Sequence, residues 1–116
     1  MPEVTIYHNP RCSKSRQTLE LLKSRGIEPT VVEYLTDTPT AKELEAIIDK
    51  LGIEPIDLIR RKEAPFKELG LASKTDDRKA LIKAMVEHPI LIERPIVVKG
   101  AKARLGRPPE QVLEIL

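Results

Sequence analysis

The chain opens on an alternation of side chains, Val4, Ile6 and His8 interleaved with Thr5 and Tyr7, which predicts a strand over residues 3–8. Asn9-Pro10 breaks it. From Ser13 or Lys14 to Arg25 the period becomes helical, with Leu19, Leu22 and neighbouring Leu21 on the buried side and Gly26 as the stop. Thr30-Val31-Val32-Glu33-Tyr34 is a second β-rich run. Thr40 followed three residues later by Glu43 is the pattern in which each side chain bonds the other's free backbone N–H at a helix start. Leu44, Ile47, Ile48 and Leu51 then give a core-facing stripe, ended by Gly52.

Further along, Pro55 suits the first turn of a shorter helix running through Ile59 and Arg61 and closed before Pro65. Phe66 to Leu71 reads as a helical turn. Asp76 to His88 reads as another helix, with Leu81, Ala84 and Met85 inward and Pro89 beyond its end. Ile96-Val97-Val98 and Ala103-Arg104-Leu105 flank a glycine-containing loop, Lys99 to Lys102, and predict a β-hairpin. Pro108-Pro109 starts a final helix with Val112, Ile115 and Leu116 on its apolar face.

The order is β-α-β, a helical middle, then β-β-α. A strand–helix–strand opening favours a parallel pair, and the closing hairpin adds antiparallel strands. That is the α/β class in its thioredoxin-like form, a mixed four-stranded sheet flanked by helices. The 116 residues fit one domain, residues 1–116, with a helical insertion at about 36–92.

Composition narrows the function. No apolar run approaches the about 18–20 residues that span a bilayer, so no membrane role is expected. The first residues lack a basic segment followed by an apolar one, and the expected location is cytoplasmic. One cysteine builds neither a disulfide framework nor a Cys-rich zinc site, and His8 and His88 are too far apart in sequence to suggest a metal pair. The net charge of +2 gives no ground for a nucleic-acid partner. Its distribution is more telling. Val4 to Leu19 holds Arg11, Lys14 and Arg16 without an acid, and Arg94 to Pro109 holds Arg94, Lys99, Lys102, Arg104 and Arg107 without one. Arg60, Arg61 and Lys62 form a third cluster. Converging in space, these would make an anion site.

Cys12 lies in a polar turn between strand and helix, where free N–H groups and the positive end of the helix dipole favour an anion. Arg11, Lys14 and Arg16 add positive charge nearby, and His8 adds more when protonated. Each favours thiolate over thiol, and the thiolate is the reactive form. The same groups would hold an oxyanion beside the sulfur. Arg94-Pro95, just before a strand, forces extended geometry there; its isomer is open at this point.

Tyr7-His8-Asn9-Pro10-Arg11-Cys12-Ser13-Lys14-Ser15-Arg16 resembles the H-N-P-x-C-x-x-S-R signature of the glutaredoxin-coupled arsenate reductase family. Leu58 to Lys62 with Glu68 to Leu71, His88 to Val98, and Arg104 to Glu110 resemble three further blocks of that family, in order. The resemblance implies that the Cys12 thiolate attacks the arsenic of arsenate, that glutathione attacks the adduct, and that glutaredoxin helps resolve the mixed disulfide as arsenite leaves. It implies that His8 helps depress the Cys12 pKa, that Arg60, Arg94 and Arg107 bind the oxyanion, and that Pro95 is cis. No bound cofactor is implied; glutathione is a co-substrate. Two departures accompany it. The well-studied reductases carry a C-terminal extension beyond the position of Leu116, and Arg11 and Lys14 stand where some members have small residues. Two other readings share the fold: a glutathione-dependent thiol reductase, and an Spx-like regulator that binds RNA polymerase. The second typically uses Cys-x-x-Cys, and here Ser15 fills the second position.

Overall fold

Strand β1 (Val4–Tyr7) alternates buried and half-buried positions, as its sequence predicts. The computed structural model describes residues 3–116. After β1 come helix α1 (Ser13–Ser24) and strand β2 (Thr30–Val32), and later strands β3 (Ile96–Lys99) and β4 (Lys102–Leu105). The sheet order is β2-β1-β3-β4, with β1 parallel to β2 and the other pairs antiparallel. In register, Ile6 stands opposite both Val31 and Val97. This is the thioredoxin-like arrangement that the element order predicts.

The backbone gathers into two compact units, one of the residues up to Asp37 with Arg94–Leu116, the other Thr38–Glu93. In the first, Val4, Ile6 and Val97 meet Leu22 of α1 and Val112 and Ile115 of the last helical segment. Leu19, Leu21, Ile27 and Leu116 pack at the margin of that cluster. Burying side chains of this size supplies roughly 1.5–3 kcal/mol each, and so fixes α1 on the sheet. The last segment, Pro109–Ile115, is a 3-10 helix.

In the second unit, helix α2 (Ala41–Leu51) has the predicted start. Thr40 Oγ1 accepts from the Glu43 N–H, and the Glu43 carboxylate accepts from the Thr40 N–H. Gly52, at φ 70°, closes it in the left-handed conformation that a Cβ disfavours. Thr40→Ala removes one side of the reciprocal cap, and urea unfolding is expected to show a loss of about 1 kcal/mol. Helix α3 (Ala64–Glu68) and helix α4 (Arg78–Glu87) follow, the latter burying Leu81, Ile82, Ala84 and Met85. Among the described residues no helix is long and apolar enough to cross a membrane.

Several element boundaries differ from the sequence expectation. β2 stops at Val32 because the Thr36 and Asp37 N–H groups both turn back to the Glu33 carbonyl. The helix begun at Pro55 is a 3-10 turn ending at Leu58, since Ile59 is extended and pairs with Ile92 in an isolated antiparallel bridge. Pro65 lies inside the first turn of α3, where its missing N–H is harmless.

Candidate active site

Cys12 occupies the N-cap of α1 in extended backbone geometry, so its side chain stands beside the first N–H groups of the helix. The turn that delivers it is closed by the Cys12 N–H donating to the Asn9 carbonyl, and by the Arg11 N–H donating to Asn9 Oδ1. The Arg16 side chain donates to the Pro10 carbonyl, so this guanidinium braces the loop.

Beneath the turn lies a buried polar layer that hydropathy alone conceals. Ser15 and Thr18 are fully buried, and His8 and Asn9 nearly so. His8 Nδ1 and Ser15 Oγ are 2.6 Å apart, and the Asn9 N–H donates to the same oxygen at 3.0 Å. Thr18 Oγ1 donates to the Lys14 carbonyl at 2.8 Å. Ser15, Thr18 and Leu22 follow helical spacing, and this was the available signal: small hydroxyl side chains in register with a core leucine.

Cys12 is half-buried, and burial is the largest single influence on its thiol, pushing the pKa up. The Ser15 N–H, the hydrogen bond and charge of Arg94, and the Lys14 N–H together outweigh it, leaving the thiol below its ordinary value. The sulfur makes no full cap hydrogen bond, so these N–H groups act mainly by favouring its anion. Arg107 Nη1 lies 3.9 Å from the sulfur and also donates to the Arg94 carbonyl at 3.0 Å. Arg94 and Arg107 are therefore tied to each other as well as to Cys12. Both Arg94-Pro95 and Arg107-Pro108 are cis; the first is the isomer that the family resemblance implies and the local residues left open, and the sequence offered no hint of the second.

The source of the thiolate stabilisation differs from the sequence expectation. Lys14 contributes through its backbone N–H, whereas the exposed side chains of Arg11, Lys14 and Arg16 are screened by solvent. Burial pushes His8 below its ordinary pKa, against the opposing charge of Glu33. Its imidazole is consequently neutral at pH 7, and it touches the site as a partner of Ser15. Of the basic cluster Arg94 to Arg107, Arg104 is drawn away into a 2.8 Å ion pair with Glu114. Arg60 belongs to the Thr38–Glu93 unit, where its N–H donates to the Leu91 carbonyl and its guanidinium lies 3.7 Å from both Glu63 and Glu93. Among the described residues no group of three or more His, Cys, Asp or Glu is arranged to hold a metal ion.

A lowered thiol pKa has a direct readout. The rate of Cys12 alkylation is expected to rise with pH through a midpoint below that of a free cysteine derivative measured alongside, since the thiolate is the species that reacts.

A thiolate cradled by helix N–H groups and two arginines can attack an electrophilic centre that carries oxyanion oxygens. The sequence model of the ArsC family matches residues 7–115. The chain belongs to the ArsC family. This ArsC-family chain is 56% identical over 115 residues to the uncharacterized protein YfgD of Escherichia coli (strain K12), spanning 98% of this chain and 97% of that one. It is 52% identical over 118 residues to an arsenate reductase of the same strain, spanning 100% of this chain and 82% of that protein. The solved structure of an arsenate reductase from Vibrio cholerae is similar at a TM-score of 0.95 and 53% identity, over 99% of this chain and 98% of that one.

Proposed function

We propose that this ArsC-family protein is an arsenate reductase that uses the Cys12 thiolate as its nucleophile and glutathione with glutaredoxin as its reductants. The observation that carries the reading is the Cys12–Arg94–Arg107 cluster, in a chain 52% identical to a named arsenate reductase. The thiolate attacks arsenic(V), forming a sulfur–arsenic bond while one arsenate oxygen departs, protonated, as water. Arg94 and Arg107 neutralise the negative oxygens of the adduct; the planar guanidinium suits this by donating two parallel hydrogen bonds to one oxyanion. Reduction to arsenic(III) takes two electrons, and these are released when two thiols join as a disulfide.

Cys12 is the only cysteine of the chain, so it has no internal thiol to pair with. Over one turnover both disulfide-forming thiols come from outside, which supports glutathione and glutaredoxin as co-substrate and partner. A reducing cytoplasm is the compartment that supplies them. Arg60 joins the oxyanion set by resemblance, and His8 supports the thiolate by holding Ser15, whose backbone N–H acts on the sulfur. The chain acts as one reductase domain.

The test is arsenite formation by the purified protein with arsenate, glutathione and glutaredoxin, followed by oxidation of NADPH through glutathione reductase. Arsenite released in step with NADPH supports the reading. No arsenite, with reduction of a glutathionylated peptide instead, assigns the protein as a glutathione-dependent thiol reductase.

A further inference from the structure

Gly106 follows β4 directly and is buried. It is not among the glycines with positive φ, so what it provides is space. A Cβ built there overlaps Thr18 Oγ1, and lies 2.7 Å from Pro95 Cγ and 3.1 Å from Thr18 Cγ2. Its N–H donates to the Pro95 carbonyl at 2.9 Å. The chain neighbour of Pro95 is Arg94, and that of Gly106 is Arg107. Thr18 lies on α1, the helix capped by Cys12, and is bonded to the carbonyl of Lys14, whose own N–H faces the sulfur. The three segments that carry Cys12, Arg94 and Arg107 thus touch at a single residue that has no side chain.

We propose that Gly106 is a positioning residue: the absence of a side chain at this contact sets how closely Arg94 and Arg107 approach the Cys12 sulfur. The inference rests on the reductase reading for its kinetic consequence, and its thiol readout is independent of which substrate the sulfur attacks. A methyl group at position 106 wedges β4 from α1 and pushes on Pro95, and Arg94 and Arg107 move with their neighbours. Because Arg94 stabilises the thiolate, that movement is readable as a higher Cys12 pKa.

The experiment compares wild type, Gly106→Ala, Thr18→Ala and the double variant, each checked for folding by circular dichroism and thermal melting. In Gly106→Ala the alkylation midpoint is expected to move to higher pH. Its kcat/KM for arsenate should fall by between about tenfold and a hundredfold, the scale of small misplacements in an active site. Thr18→Ala deletes the two Thr18 atoms that the new methyl would strike, so adding Gly106→Ala to that background should raise the midpoint by less, the Pro95 contact remaining.

A folded Gly106→Ala with the wild-type midpoint overturns the proposal, even when its melting temperature is lower. An equal rise in both backgrounds also overturns it, since the effect would then not pass through Thr18. Should Gly106→Ala alone fail to fold, Thr18→Ala against the double variant decides, and an unchanged midpoint there overturns the proposal. A wild-type protein that makes no arsenite, combined with the expected midpoint shift, removes the proposed function and leaves the positioning role standing.

Discussion

In Cys12→Ser, arsenite formation is expected to fall on the order of 10⁴-fold or more, the scale of losing the nucleophile from a catalytic unit. A serine hydroxyl attacks only when a base removes its proton. His8, the nearest imidazole in sequence, is held against the Ser15 hydroxyl and is not placed to deprotonate a hydroxyl at position 12. The helix N–H groups and Arg94 that lower a thiol pKa cannot bring an alcohol into the ionising range near neutral pH. Stability should move the other way. Serine is a strongly preferred N-cap, whereas Cys12 caps α1 without a side-chain hydrogen bond. An inactive variant with an equal or higher melting temperature would show that the loss is chemical. Arsenite formation persisting within tenfold of wild type would remove Cys12 as the nucleophile.

Arg94→Ala has the next largest expected effect. It deletes both a hydrogen bond to the sulfur and a positive charge beside it, leaving burial opposed by the Ser15 and Lys14 N–H groups and by Arg107 at 3.9 Å. The sign follows from this balance. With the lowering influence removed, the thiol pKa rises, less thiolate is present at pH 7, and the acid limb of the rate profile moves to higher pH. Raising the pH should restore the part of the loss due to protonation. The part due to the missing oxyanion donor should persist, and a fall in kcat/KM of about 10²–10³-fold at neutral pH is expected from such a donor. The carbonyl of residue 94 remains, so the anchor it gives to Arg107 survives the substitution. Arg94→Lys should keep much of the pKa effect and little of the oxyanion binding, because a point charge lacks the planar fork. Alkylation and kcat/KM measured against pH separate the two contributions.

Most of the architecture is legible along the chain. The alternation at Val4–Tyr7, the capping box at Thr40 and Glu43, the stripe ending at Gly52, and the hairpin around Gly100 are local patterns with local causes. The strand–turn–helix setting of Cys12 is equally local, which is why its position at the head of α1 is readable from sequence. Boundaries failed where longer-range pairing decided them, as at Ile59, which leaves the helical geometry to pair with Ile92.

What the sequence alone determined is therefore the order of the elements and the place of Cys12 at the head of α1. Tertiary structure decided which charges reach its sulfur. Arg11, Arg16 and Lys14 are its neighbours in sequence, yet their exposed side chains are screened by water. Arg94 and Arg107, far along the chain, are brought to the sulfur because β3 and β4 pair beside β1. Gly106 leaves room for that approach, and a contact that depends on a missing atom has no signature in a one-dimensional pattern.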